Sequence, residues 1–208
     1  DLTPSPELSY ILGVRYGDLG VREYVSELNI VDRDFAEEFA RCAGVVMGRI
    51  YKLTPKSGMK NQVQVVVCSR ILSDFLKLPL LDHSEWIDPA DFIRGFMDSD
   101  GGASEQPYIR ATNTDIEVLY YISALLELYF DIDSSVTTPP SAVKAVGSIH
   151  YLRGRPVISK KVAHSFYISG LGDVEKYYWN IDFSILRKSE TLEYGLYGVD
   201  HPFWTRSR

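Results

Sequence analysis

Apolar residues cluster at helical spacing from Tyr10 to Val14 and again from Phe92 to Met97. Each run carries small residues four apart, Gly13/Gly17 and Gly95/Ser99. Small residues at that spacing let two helix backbones approach closely, for steric reasons. Ser5-Pro6-Glu7 predicts the first helix start, with a capping hydroxyl, proline at the first helical position and an acid in the first turn. That helix is expected to reach Asp18 and stop at Gly20. A strand-like segment over 21–31 follows, with a bend expected near Ser26. Asp32 then caps a helix in which Phe35, Phe39, Ala43 and Val46 share one face while Glu37, Glu38 and Arg41 take the other. Beyond Gly48, residues 49–54 and 62–68 are predicted as two strands of a hairpin joined by Pro55-Lys-Ser-Gly58. In the second, Val63, Val65 and Val67 alternate with Gln62, Gln64 and Val66. A short helix over 69–77 closes the unit.

The order then begins again. Asp88-Pro89 opens a second motif-bearing helix, 108–112 is predicted as a strand, and 114–130 as an amphipathic helix. Residues 132–138 and the alternating His164, Phe166 and Ile168 supply further strands around a longer connection through Pro139-Pro140. Residues 170–187 are predicted helical. Asp18 and Asp100 stand 82 positions apart, and the elements after each repeat near that period. The expected fold is α+β, with two pseudo-symmetric αββαββα halves, each a curved antiparallel sheet forming a saddle. The boundaries expected are 1–80 and 87–190 for the halves, with a linker near 78–85, set at 81–86. An aromatic tail, 191–208, is expected to pack back on the body.

Composition adds one qualification and one surprise. The 208 residues contain two cysteines, too few and too isolated for a disulfide framework or a zinc site. No apolar run approaches the roughly 18 residues needed to span a membrane. An intracellular setting is expected: cytoplasm, nucleoid or organelle. The net charge of −6 argues at first against nucleic acid, but the charge is unevenly spread. Residues 49–70 hold five basic side chains and no acid, and 141–161 hold five more, again with none, leaving twelve basic against 28 acidic residues elsewhere. Two basic islands on an acidic body suit local polyanion-binding faces.

Each motif helix closes on an aspartate, where the partial negative charge of a helix C-terminus disfavours a carboxylate without a nearby cation. If the helices pack side by side, Asp18 and Asp100 meet among free carbonyls in an all-oxygen pocket suited to Mg²⁺ or another hard cation. Two other readings of Asp98-Ser-Asp100 are weaker. A metal–nucleotide DxD pair of the glycosyltransferase kind predicts no repeat, and a calcium loop would need an oxygen ligand where Gly102 stands.

Gly95-Phe-Met-Asp-Ser-Asp-Gly101 closely resembles the motif of the LAGLIDADG homing endonucleases. Gly13-Val-Arg-Tyr-Gly-Asp18-Leu resembles a degenerate copy, with Tyr16 for the usual first acid and the glycine delayed to Gly20. The resemblance is to the single-chain, two-motif, intron-encoded archaeal or organellar type, and it covers the chain to about residue 187. It implies a monomeric, site-specific, Mg²⁺-dependent double-strand DNA endonuclease (Mn²⁺ or Ca²⁺ entering the same site), encoded by an intron or an intein, of which a free-standing intron product is the expectation. Asp18 and Asp100 are then the catalytic metal ligands, with the carbonyls of Gly17 and Ser99 completing the coordination. Asp98 supports the helix end. Two-metal phosphodiester hydrolysis places such ions about 3.5–4 Å apart.

A two-stranded ribbon fits the major groove. Arg49, Tyr51, Gln62 and Gln64, joined by Arg22 and Arg110, are candidate DNA-binding residues, with Arg153, Arg155 and Lys160 in the second half. Lys52 adds charge to the first basic island, and Lys56, Lys60 and Lys144 are candidate phosphate contacts. Relatives often place a basic or amide group beside the cleavage centre. Here Ile30 and Val31 occupy that place in the first half and Asn113 and Thr114 in the second. Arg70 and Lys161 are the basic substitutes, and Asn113 is a candidate water-positioning amide. A target of about 20 bp is expected. The alternative on the same scaffold is an RNA maturase acting on host-intron RNA, or a DNA-binding protein that does not cleave.

Overall fold

The computed structural model describes residues 2–59, 61–152 and 155–198. The first half runs α1 (Pro6–Arg15), β1 (Gly20–Val21), β2 (Val25–Ile30), α2 (Arg33–Met47), β3 (Thr54–Pro55), β4 (Val63–Cys68) and α3 (Arg70–Leu76). A 3₁₀ segment, Leu80–Trp86, leads to the second half. There α4 (Pro89–Asp100), β5 (Gly101–Ala103), β6 (Ile109–Asn113), α5 (Ile116–Phe130) and β7 (Ser135–Thr137) repeat the plan. An inserted helix α6 (Pro140–Ala145) and a separate hairpin, β8 (Ile149–Leu152) with β9 (Arg155–Ile158), precede β10 (His164–Ile168), α7 (Leu171–Asn180) and α8 (Leu186–Tyr197).

The two four-stranded sheets are antiparallel and match: β1-β2-β4-β3 and β5-β6-β10-β7. Glu27 lies opposite Gly20 in the first, as Arg110 lies opposite Gly102 in the second. In both sheets one face is closed by helices. Ser26, Leu28, Val65 and Val67 are buried, as are Ile109, Ala111, Phe166 and Ile168. The alternate positions, including Glu27, Asn29 and Gln64 in one sheet and Arg110, Thr112 and Tyr167 in the other, face away from that core.

The halves join through α1 and α4, which run side by side with their C-terminal ends together. A Cβ on Gly13 would stand 2.1 Å from the Phe92 carbonyl, one on Gly95 2.2 Å from the Tyr10 carbonyl, and one on Gly17 2.2 Å from the Ser99 Cβ. The small residues therefore set the distance between the helices. Leu8, Ile11, Leu12, Phe92, Ile93 and Phe96 are fully buried around this seam. Each such large apolar side chain contributes about 1.5–3 kcal/mol by burial. Ser5 caps α1 through Leu8 N–H, and Asp88 caps α4 through the N–H groups of Ala90 and Asp91.

Several expected elements differ. α1 ends at Arg15, and a turn carries the chain on to Asp18, with the Leu19 N–H donating to the Val14 carbonyl. The bend in 21–31 falls at Arg22–Tyr24, where the Arg22 N–H donates to Val25 O, rather than near Ser26. Residues 49–53 are irregular: Arg49 stacks 4.6 Å over the Tyr51 ring and donates to its hydroxyl at 2.6 Å, so local side-chain bonding replaces a strand ladder. The 170–187 helix is broken, because Asp182 takes a left-handed φ of 54° and turns the chain between α7 and α8. The connection after Pro139 holds α6 and a hairpin. Of the aromatic tail, residues 199–208 lie outside the described part, while the part to 197 belongs to α8.

Candidate metal and nucleic-acid site

The seam ends at Asp18 and Asp100. Asp100 closes the last turn of α4, and burial, with the Asp18 charge adding to it, pushes its carboxyl up to about 6 against the pull of an Asn113 hydrogen bond. Asp18 is more open, yet desolvation still raises its carboxyl above the usual range, with Lys188 working in the other direction. Asn113, at the end of β6, donates to Asp100 Oδ2 at 2.6 Å and to the Tyr16 carbonyl at 2.8 Å, so one amide ties the second half's carboxylate to the first half's backbone. Its Oδ1 accepts from the Asp115 N–H at 2.7 Å, which fixes the amide's orientation. Beside it opens a cleft of about 420 Å³ lined by Arg15, Tyr16, Gly17, Asp100, Asn113 and Ala163 among others.

Lys188 occupies the back of the site and is nearly buried. Its Nζ donates to the carbonyls of Met97 at 3.1 Å and Asp98 at 2.6 Å. It thereby caps the C-terminal carbonyls of α4 with the cation that helix end favours. Burial lowers the Lys188 ammonium pKa, opposed by the charges of Asp98, Asp32 and Asp18. Asp98 is 2% exposed and points away from Asp100, accepting from Tyr10 Oη at 2.8 Å, from the Ser184 N–H at 3.1 Å and from the Ser184 hydroxyl. Burial raises it to about 6, while those donors hold it down. Its hydrogen bonds engage the helix seam, which agrees with a supporting part.

The matching position in the first half is Tyr16. Its hydroxyl meets His83 Nδ1 at 3.4 Å, and His83 Nε2 lies 2.9 Å from the Phe75 carbonyl. The carbonyl can only accept, so Nε2 carries the proton and Nδ1 accepts from Tyr16. In each half, the segment after the third helix or its counterpart buttresses the motif helix. The chemistry is carboxylate–serine on one side and phenol–imidazole on the other.

The donor set can be weighed against a cation. Asp18, Asp100 and two helix ends together carry about three units of negative charge, of which Lys188 offsets about one. Oxygen donors in excess negative charge fit a hard divalent ion. Among the described residues no group of three His, Cys, Asp or Glu side chains could hold a metal. Backbone carbonyls, such as those of Gly17 and Ser99, and water would have to complete its shell.

The remaining candidates scatter. Lys161 is exposed and lies two residues before Ala163, which lines the cleft. Arg70 does not join the site. It follows Cys68, which pairs with Val25, whereas Val63 at the opposite end of β4 pairs with Ile30 beside the start of α2. Five residues of strand put it about 17 Å farther out, and it pairs with Asp74 at 3.4 Å. Arg22 is exposed in the β1–β2 turn, Lys52 is exposed beside the Arg49–Tyr51 stack, and Arg110 is exposed on β6. Gln62 precedes β4, and its carbonyl accepts from the Lys56 N–H at 2.9 Å. Lys56 and Gln64 both bind Glu27 on the open face of the first sheet. Lys144 is exposed on α6, and Lys160 is exposed after β9. Lys60, Arg153 and the side chain of Arg155 lie outside the described part.

Lys188, Ser184 and Glu27 carry no motif. Lys188 alone leaves a trace, since Ile185, Lys188 and Leu192 fall at helical spacing on one buried face. A lysine on an apolar stripe marks a buried cation.

A family model described as a LAGLIDADG-like domain matches residues 88–167. An uncharacterized protein of Methanocaldococcus jannaschii is 30% identical, over 96% of this chain and 75% of the relative. A second uncharacterized protein of that organism is 51% identical over 147 residues, spanning 61% of this chain and only 56% of the relative. Among solved structures, mesophilic variants of the homing endonuclease I-DmoI align with a TM-score of 0.62 at 15% identity, covering 91% of this chain and 97% of theirs. I-DmoI in complex with DNA and Mn aligns at 0.60 and 15%, covering 85% and 96%. Full-length DUF199/WhiA from Thermatoga maritima aligns at 0.59 and 13%, covering 92% of this chain and 60% of that one. At these identities the structural likeness is one of fold.

Proposed function

The chain belongs to the LAGLIDADG family, with two motif-bearing halves on one polypeptide, and from that footing we propose that it is a site-specific DNA endonuclease. The observation that carries this reading is the meeting of Asp18 and Asp100 at paired helix ends, each strained by burial and Asp100 by its neighbour's charge. I-DmoI is described in complex with DNA and Mn and with DNA and Ca, which supports duplex DNA and a divalent ion as the ligands here.

Asp18 and Asp100 would hold a divalent ion, whose chemistry when bound would be activation of water and stabilisation of the leaving oxygen. The chain's own residues do the rest. Asn113 keeps the Asp100 carboxylate turned toward its partner. Lys188 holds the last carbonyls of α4 in place. Exposed Lys161, two residues before Ala163 of the cleft lining, is the candidate phosphate contact. The open faces of the two sheets take the duplex on either side, and exposed Arg22, Lys52, Arg110 and Lys144 add the sequence-independent attraction that phosphates provide.

Binding without cleavage is the second reading, and one observation favours it. Ile30 stands two residues before Asp32 and Asn113 two before Asp115, so the Asp18 side lacks the matching amide. Asp32 flanks α2 at its N-terminus, and its carboxylate pairs with Arg187 instead of capping the helix as expected. The fold likeness to DUF199/WhiA is as close as that to I-DmoI, so fold does not select between them. Incubation with a plasmid library of random inserts and Mg²⁺ tests the proposal. Discrete double-strand cuts support it, tight DNA binding without cuts supports the second reading, and preferential RNA binding points to the maturase alternative.

A further inference from the structure

On the open face of the first sheet, Glu27 is held by three donors on a single oxygen. Lys56 Nζ, Gln64 Nε2 and Asn29 Nδ2 reach Oε1 at 2.5, 2.6 and 2.7 Å. Oε2 has no hydrogen-bond partner among the described residues. Asn29 donates to this carboxylate while its own Oδ1 is buried without a partner, an arrangement that costs stability and is typical of positions kept for function. In the second sheet the residue in the same relation to the first strand is Arg110, an exposed donor.

An acid on a face meant for a polyanion repels phosphates unless it is neutralised and set on something that donates. Here both conditions are met: Lys56 neutralises Glu27, and the trio fixes the direction of the free oxygen. In the major groove, cytosine offers the N4 amino donor and its paired guanine offers the O6 and N7 acceptors. The carboxylate beside the ammonium is the complement of that edge. Resting on the DNA-binding reading above, we propose that the Glu27–Lys56 pair specifies a C·G base pair in the half-site under the first sheet, Glu27 accepting from cytosine N4 and Lys56 donating to the guanine. Arg110 presents only donors at its matching place, so the two half-sites differ at corresponding positions and the target is asymmetric there.

The test is selection of bound duplexes from a randomised pool in Ca²⁺, with the full chain and with Glu27→Gln and Lys56→Met, each checked for an unchanged thermal transition. The wild type selects a consensus containing a C·G pair on one side. Glu27→Gln loses discrimination at that pair by roughly 10-fold, leaves the other positions intact and does not weaken binding to the pool at large. Lys56→Met relaxes the same position. An unchanged consensus in Glu27→Gln overturns the proposal and leaves Glu27 as an ion pair of the sheet. A wild type that selects no consensus overturns it together with the DNA reading beneath it.

Discussion

The two ends of the helix seam hold the same carboxylate in different surroundings. Asp100 is fastened by Asn113, backed by Lys188 on the carbonyls of its own helix, and adjoined by Asp98 with its Tyr10 and Ser184 donors. Asp18 is more exposed and follows a turn rather than a helix end. The charges that act on it are Lys188, shared with Asp100, and Asp32, and the residue two places before it is Tyr16 on His83. Symmetric backbones thus carry unequal chemistry. The second end is held by a side-chain hydrogen bond and the first stands more open to solvent. A cation shared between them would take its geometry from Asp100 and its tolerance from Asp18.

The largest effect is expected where the two ends depend on each other. Gly13→Ala places a methyl against the Phe92 carbonyl, which as backbone cannot move aside, and should cost about 3 kcal/mol or more. A urea titration checks this, and a loss below about 1 kcal/mol would mean that the helices can part. Next, Asp98→Ala leaves the buried Tyr10 hydroxyl with only Ser184 Oγ at 3.1 Å and the Ser184 N–H without its acceptor, and should cost about 2 kcal/mol. The matching Tyr16→Phe removes one long hydrogen bond and should cost about 1 kcal/mol or less. Equal losses at the two positions would erase the contrast in how the ends are supported.

Asn113→Ala should lower cleavage or divalent-ion affinity about 10- to 100-fold, the range for residues that orient a metal ligand. It should also cost about 1–3 kcal/mol of stability, because the Asp100 carboxylate and the Tyr16 carbonyl lose their donor. Titration calorimetry with Mn²⁺ reads the affinity directly. The smallest effect concerns pH. In the metal-free protein Asp100 titrates near 6, above its unfolded value of about 3.9. Its contribution to stability is therefore full below pH 4 and lost as pH rises through 6. Asp100→Asn should be more stable than wild type at pH 7, by on the order of 1 kcal/mol in this partly solvated site, and no more stable at pH 4. Denaturation in chelator at both pH values checks the sign.

Most of this frame is legible in the chain because its punctuation is local. Pro6, Asp32, Gly48 and Asp88 mark helix ends, and apolar spacing marks the faces of α2 and the inner residues of β4 and β10. The motif aspartates are legible for the same reason, being adjacent to the small residues that bring them together. Errors arise where non-local contacts decide. Ile50 and Leu53 read as strand, yet Ile50 is 89% exposed because the Arg49–Tyr51 stack holds the segment off the sheet. Asp182 breaks the last helix with no glycine or proline to announce it. Lys188 and Ser184 reach α4 from nearly ninety residues away, at a spacing no pattern records. Glu27 has no signature in the sequence because it lies outside the acid-free stretches that point to DNA.

The most direct measurement compares cutting with binding in Asp100→Asn, on a duplex recovered from the wild-type selection. With Mg²⁺ the wild type should cut both strands, and the variant should show no detectable cleavage. In Ca²⁺ the two should bind the duplex within a few-fold of each other, because the change removes a ligand and no groove contact. Retained cleavage by Asp100→Asn, or wild-type binding without cutting in both Mg²⁺ and Mn²⁺, would contradict the account.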